Sequence, residues 1–247
     1  MSLRLLSYNI RHGGAGRERQ LAAVIAACAP DVVVLQEATR PAVVAQLARE
    51  TGMPQWGTRR GESLGFMSRA PMAHVAWHRP RLSRHAFLEL APTSGPWRIF
   101  GVHLSAVHAA WTEHRRRFEL RAMLAAIRSH QHGPHLLVGD FNTLAPGELL
   151  KVGKLPARLR ALVWLSGGRI RWRTIQTVLD GGYVDAFRHL QPDLVGYTFP
   201  TWDPHVRLDY LFVPAPFVAR VERCEVITTG PAADASDHFP LIAELKT

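Results

Sequence analysis

The chain of 247 residues has only two cysteines, Cys28 and Cys224, too few for a disulfide framework or a thiolate metal site. It also lacks any apolar run long enough for a membrane span. Its first residues, MSLRLLSYNI, alternate apolar with polar instead of leading to a small-residue cleavage site, so they read as a strand and not as a signal peptide. The expected location is cytoplasmic. Acidic residues are scarce: 20 Asp and Glu stand against 30 Lys and Arg, a formal net charge of +10. Such an excess favours a polyanionic partner, whether nucleic acid, an anionic lipid surface or a phosphorylated small molecule, and charge alone does not choose among them. No repeat, low-complexity tract or clear linker interrupts the chain. One domain over residues 1–247, as a monomer, is the expected organisation.

What is present is a mixture of strand and helix patterns. LRLLSYNI, SLGFMSR, HVAWH, RHAFLEL, WRIFGVHLS, HLLVG, RLDYLFVP, ARVERCEVITT and FPLIAEL read as strands between turn residues. DVVVLQEA is a continuous β-branched run, as in a strand buried on both faces. Helical spacing marks residues 17–29, which stop at Pro30, and residues 41–52, with Pro41 at the start and Gly52 after the end. The longest helix is expected over 111–130, with an apolar stripe of Phe118, Leu120, Met123, Leu124 and Ile127 and arginines on the other face. A further short helix is expected at TIQTVLD. The mixture predicts a layered α/β fold with mixed sheets.

One segment stands apart. Residues 151–173 carry seven Lys or Arg and no acid, interleaved with Leu, Val and two tryptophans. It reads as a surface insertion with a short helix. Trp164 and Trp172 are candidates for stacking on bases, or for contact with a lipid interface.

Polar residues recur around the ends of the predicted strands: Asn9, Glu37, His103, Asp140 and Asn142 where strands close, Asp209 inside RLDYLFVP, and Asp237 with His238 before FPLIAEL. Carboxylates among apolar residues are costly unless paired or metal-bound, and ligand sites of α/β folds gather at strand ends. Glu37, with Asn9 and Asp237, supplies hard oxygen donors. The lack of Cys or of a clustered His set argues for Mg²⁺ or Mn²⁺ over Zn²⁺. Asp140 could deprotonate a water, and Asn142 could hold that water or a phosphate. The two are expected to share one side of an extended chain, with Phe141 toward the core. His238 and His103 could donate to phosphate oxygens, with Asp209 fixing the His238 tautomer. The sum is metal-assisted phosphoester hydrolysis. Arg11 and the basic insertion add candidate substrate contacts.

The ordered series SYNIR (7–11), LQE (35–37), SLGFMSR (63–69), VHL (102–104), GDFN (139–142), RLDYLFV (207–213) and SDHFPL (236–241) resembles the endonuclease/exonuclease/phosphatase superfamily and spans nearly the whole chain. The superfamily includes pancreatic deoxyribonuclease, abasic-site endonucleases and neutral sphingomyelinases. The resemblance implies a four-layer α/β sandwich of two packed mixed β-sheets with flanking helices. It implies Mg²⁺ on Glu37 with Asn9 and Asp237 close by, Asp140 and Asn142 on the nucleophile, His238 paired with Asp209, and His103 on the phosphate. The chain also departs from two branches. Abasic endonucleases of the superfamily carry a tyrosine where this chain has His103, and a lysine where it has Ala38-Thr39-Arg40. Deoxyribonuclease-like members pair the equivalent of His103 with a glutamate near a Ser-Arg motif, whereas Ser68-Arg69-Ala70-Pro71 contains no acid.

Overall fold

The computed structural model describes residues 2–81, 83–106, 110–148, 150–155, 157–165 and 172–247, so the 151–173 insertion is described only in part. The apolar and β-branched runs form β1 (Ser2–Asn9), β2 (Val32–Gln36), β3 (Gln55–Thr58), β4 (Gly65–Ser68), β5 (Met72–His78) and β6 (Phe87–Pro92). They continue as β7 (Arg98–His103), β8 (His135–Asp140), β9 (Tyr183–Asp185), β10 (Asp209–Pro214), β11 (Val221–Val226) and β12 (Leu241–Lys246). Between them lie α1 (Glu18–Cys28), α2 (Pro41–Glu50), α3 (Ala110–Ala126), α4 (Ala157–Leu165), α5 (Thr174–Asp180), α6 (Ala186–Leu190) and α7 (Ala232–Ala235). Four short elements carry too little pattern to be read from sequence: α7, with four residues, and three more. β3 is a half-exposed edge strand with a central glycine, β9 has three residues, and α6 has five.

The strands make two six-stranded mixed sheets, in the orders β11-β12-β1-β2-β4-β3 and β5-β6-β7-β8-β10-β9. Parallel pairing of β1 with β2 and of β7 with β8 needs crossovers, supplied by α1 and α3. The inner faces meet in one core, where Leu5, Val32, Val34 and Phe66 pack with Leu88, Ile99, Val138 and Leu211. Each fully buried aliphatic side chain here contributes roughly 1.5–3 kcal/mol. Leu6, Tyr8, Val33 and Leu35 turn outward to α1, α2 and α7. Phe100, Val102, Leu137 and Phe212 face α3 and α5. The result is the expected four-layer sandwich with helices outside. Among the described residues, no helix is long and apolar enough to cross a membrane.

The face of α3 differs from the expected one. Leu120, Met123 and Ile127 are buried, but Phe118 is 45% exposed and Arg116 is fully buried. The reason is angular. Phe118 lies two positions from Leu120, on the opposite side of the helix, whereas Arg116 lies four positions from it, on the same side.

Candidate active site at the strand ends

Strand register builds the centre of the site. At the end of the second sheet, His103 of β7 stands beside Asp140 of β8, and Asp140 beside Asp209 of β10. Three neighbouring strands thus deliver three titratable groups in one row. The first sheet brings Asn9, the last residue of β1, beside Gln36 of β2, with Glu37 directly after. The loop before β12 adds His238. Its Nδ1 lies 2.8 Å from Asp209 Oδ2, the expected pairing. The Ser236 hydroxyl donates to the Asn9 carbonyl at 2.7 Å and ties this loop to β1.

The chain leaves regular conformation where it enters the site. Of five described non-glycine residues with positive φ, four line these loops: Arg11, His12, Glu37 and Asn142. Such residues hold strain of order 1–3 kcal/mol each and persist where packing over-determines them. Asn142, at φ 52°, therefore does not extend the strand past Asp140 as its sequence spacing suggested. The two residues meet through a tight turn instead. The Asn142 backbone N–H donates to Asp140 Oδ1 at 2.8 Å, as in an Asx turn. The Asn142 side-chain amide donates to Asp140 Oδ2 at 3.1 Å and to the Leu104 carbonyl at 3.0 Å, so it braces the carboxylate. Phe141 between them is fully buried, as expected. Gly139 has no alternative, because a Cβ there would lie 2.0 Å from the Val102 carbonyl oxygen.

The row is buried, and burial sets its electrostatics. Asp140 is 1% exposed, Asp209 2% and His238 5%. Burial, reinforced by the Asp209 charge, pushes the Asp140 carboxyl up to about 7. Burial alone would lower His238, but the Asp209 carboxylate outweighs it and the imidazolium is pushed up to about 10. His103 goes the other way, driven by burial and then by His85 and His238 down to about 3. At neutral pH one histidine is a cation and the other neutral. Their Nε2 atoms lie on the same Asp140 oxygen, each at 3.9 Å.

The carboxylate oxygens of Glu37, Asp140 and Asp209 are of the hard type a divalent cation takes, whereas His238, held as an imidazolium, is not a ligand. Asn9 Nδ2 bridges Asp140 Oδ2 at 3.1 Å and Glu37 Oε1 at 3.4 Å. Asp140, Asp209 and His238 each place a side-chain oxygen or nitrogen within 4.8 Å of the others. Positive charge beside Asp140 would offset the desolvation and repulsion that hold its carboxyl high. Asp237, expected near Glu37, pairs with Arg11, whose Nε lies 3.3 Å from Asp237 Oδ2.

The sequence matches the profile of the Endonuclease/Exonuclease/phosphatase family over residues 6–238. The chain is a member of that family. It is therefore a phosphoester hydrolase of a divalent-metal-dependent family. Its fold is similar to a 3′ phosphatase from Neisseria bound to a product DNA hairpin, at 20% identity and a TM-score of 0.75, covering 99% of this chain and 100% of that one. It is similar to an endonuclease/exonuclease/phosphatase from Beutenbergia cavernae, at 21% identity and a TM-score of 0.73, covering 99% and 71%. An AP endonuclease from Archaeoglobus fulgidus is similar at 16% identity and a TM-score of 0.73, covering 99% and 100%. Curated proteins give no significant match to the sequence.

Several residues of this family member were not legible as part of the site. Ser63 takes the place of the missing acid: its Oγ lies 2.9 Å from His103 Nδ1. His85 stacks on His103 with ring centroids 5.3 Å apart. Arg116 and Glu113 form a buried ion pair behind the site, at 3.0 Å. Arg116 donates to the Ser105 carbonyl and Glu113 accepts from the Thr143 hydroxyl, which joins the loops after β7 and β8. Trp202 is 68% exposed, with the Arg11 guanidinium 5.9 Å from its ring centre. A tryptophan two residues after Thr198-Phe199-Pro200 was the only signal for it.

The two tryptophans of the insertion part company. Trp172 packs half-buried on the cluster of Leu144, Val206 and Leu208. Trp164 is 75% exposed at the end of α4, and no described contact brings it to the row of His103, Asp140 and Asp209. The root of the insertion is tied near Trp202 by Lys154, paired with Asp203. Residues 156 and 166–171 of the insertion lie outside the described residues.

Proposed function

We propose that this chain hydrolyses phosphodiester bonds in nucleic acid, with Mg²⁺ as cofactor and Mn²⁺ as a substitute. The reading rests on one observation above all: buried Asp140 lies between two histidines, with His103 Nε2 and His238 Nε2 each 3.9 Å from the same carboxylate oxygen and His238 paired through Nδ1 with Asp209. Glu37, Asn9 and Asp237 would hold the cation, which when bound polarises a phosphate oxygen and offsets developing negative charge.

The protein's own groups supply the rest. Asp140 accepts the proton of the attacking water. Asn9 and Asn142 hold its carboxylate in place. His238, kept protonated by Asp209, donates from Nε2 to a phosphate oxygen as charge builds. His103 can do the same while neutral. If the Ser63 hydroxyl donates to Nδ1, the ring proton sits on Nε2 and faces the substrate.

Nucleic acid is favoured as substrate by the net charge of +10 and by Trp202 with Arg11 at the mouth of the row. The DNA hairpin of the Neisseria 3′ phosphatase points the same way. The alternative, an anionic lipid or a phosphorylated small molecule, draws on Trp164 and Leu165, exposed at the end of α4 in a segment rich in Lys and Arg. The test is hydrolysis of DNA, RNA, a lipid phosphodiester and inositol phosphates with Mg²⁺, Mn²⁺ or EDTA. Nucleic-acid cleavage that disappears in EDTA and in His238→Ala is expected. Intact nucleic acid with a cleaved lipid or inositol phosphate would replace this reading with the alternative.

A further inference from the structure

A second group of metal-ligating side chains lies on the outer face of the second sheet, away from the catalytic row. Glu89 of β6 is its centre, with its side chain only 4% exposed. In register, Glu89 stands opposite Ala76 of β5. Ala76 fills little space, and the residues two before and two after it on the same face are His74 and His78. Both imidazoles lean in over the alanine toward the same oxygen. His78 Nε2 lies 2.5 Å and His74 Nε2 3.6 Å from Glu89 Oε2.

The other oxygen is engaged elsewhere. Arg98 of β7 donates to Glu89 Oε1, and His130 Nε2 lies 3.6 Å from that same atom. The carboxylate is thereby held in one orientation, with Oε2 turned to the two histidines. The ligand atoms of His74, His78 and Glu89 all lie within 4.8 Å of one another.

We propose that His74, His78 and Glu89 form a second cation site, one that takes a borderline ion such as Zn²⁺ in preference to Mg²⁺. Two imidazole nitrogens and one carboxylate oxygen are a typical donor set for zinc, which leaves a further position for water. Mg²⁺ prefers an all-oxygen shell and gains little from imidazole. The half-exposed histidines, with side chains 48% and 41% accessible, give an ion direct entry. Arg98 and His130 act behind the ligands by orienting Glu89. The site is not part of the catalytic row. Arg98 and His103 are five residues apart on one strand, roughly 16 Å. A bound ion would join β5, the edge strand of its sheet, to β6.

The test is zinc retained after gel filtration in millimolar Mg²⁺, measured by metal analysis on the full chain and on the double variant His74→Ala/His78→Ala. Millimolar Mg²⁺ competes for the oxygen-rich catalytic group, and any zinc left there is common to both proteins and cancels. The wild type is expected to hold one more equivalent than the double variant, and to gain thermal stability with Zn²⁺ while the variant does not. Co²⁺ in place of Zn²⁺ should give visible absorption in the wild type beyond any that the double variant shows. Should the double variant fold poorly, His74→Ala alone is expected to weaken zinc binding at least ~10-fold. Equal zinc content in wild type and variants, or none in either, would overturn the proposal. Mg²⁺-dependent phosphoesterase activity should be the same in both proteins, so the outcome does not depend on the identity of the substrate.

Discussion

At the strand ends, Asp140, Asp209 and His238 lie almost wholly out of water, whereas at the sheet edge His74 and His78 stand half in solvent around the single buried Glu89. Both groups are made of carboxylates and imidazoles. The first is assembled where β8 ends and β10 begins and by the loop before β12, with strained backbone nearby. The second needs only cross-strand register on regular strands. In the buried group each charge resets its neighbour: Asp140 is pushed up by burial and by Asp209, and His238 is pushed up by Asp209. Around Glu89, the hydrogen bonds from His78 and Arg98 outweigh burial and hold the carboxyl below its usual range. Mutual perturbation of this kind suits proton transfer. A carboxylate kept ionised beside accessible imidazoles suits the holding of a cation.

The comparison can be broken most sharply at the catalytic row. Asp140→Asn or His238→Ala should lower kcat by about 10²–10⁴-fold with the fold intact, while His74→Ala/His78→Ala leaves it unchanged. Asp209→Asn should cost less than His238→Ala, since Asp209 acts only by orienting and polarising the ring. Steady-state kinetics with circular dichroism decide this. Near-wild-type rates in the first two variants would remove them from the mechanism.

The next largest effect is expected behind the row. Glu113→Ala removes the carboxylate that pairs with buried Arg116 and accepts from Thr143 and Thr174, at a cost of about 3–5 kcal/mol. The melting temperature should fall by on the order of 10 °C. The pH dependence has a definite sign. Burial alone would raise Glu113, but Arg116 and the Thr174 and Thr143 hydrogen bonds outweigh it, and its carboxyl titrates below the usual value. Its contribution is therefore complete above the ordinary glutamate range and is lost as pH falls through the depressed folded value. Acid unfolding followed at several pH values should be shallower in Glu113→Gln than in the wild type. Parallel curves would contradict the assignment.

Smaller effects sharpen the roles at the mouth. Trp202→Ala should weaken binding of single-stranded nucleic acid by about 1–3 kcal/mol, if a base stacks on the ring, with little change in thermal stability because the side chain is exposed. Fluorescence anisotropy at fixed salt measures it, and an unchanged Kd would exclude stacking there. Ser63→Ala removes one hydrogen bond from His103 and should reduce kcat by roughly ten-fold or less, a loss of ~1 kcal/mol. A loss as large as that of His238→Ala would mean that Ser63 itself meets the substrate.

Much of the catalytic row was legible in the chain because its members follow strands whose apolar runs are strong. Asn9, Glu37, His103 and Asp140 each sit at a strand boundary that the pattern marks, whereas Asp209, read inside RLDYLFVP, in fact opens β10. His238 with Asp209 was legible for a chemical reason, since an imidazole that must stay charged needs a carboxylate on its other nitrogen. The local geometry between Asp140 and Asn142 was not, because a left-handed residue turns the chain where alternation predicts extension. Ser63 could not be matched to His103 across 40 positions without the fold.

The sequence by itself determined the two-period and helical patterns, the excess of positive charge, and the residue types and order that place the chain in its family. Those properties are local, or sum over the chain, so no partner is needed to read them. Tertiary structure alone decided that Arg116 goes inside, that Trp172 packs while Trp164 stays in water, and that Ser63 holds His103. It also brought together a histidine group that separate positions gave no reason to join. Each of these depends on which strand lies beside which, and in what register. Register is set by the packing of two whole sheets against each other, a property of no single segment.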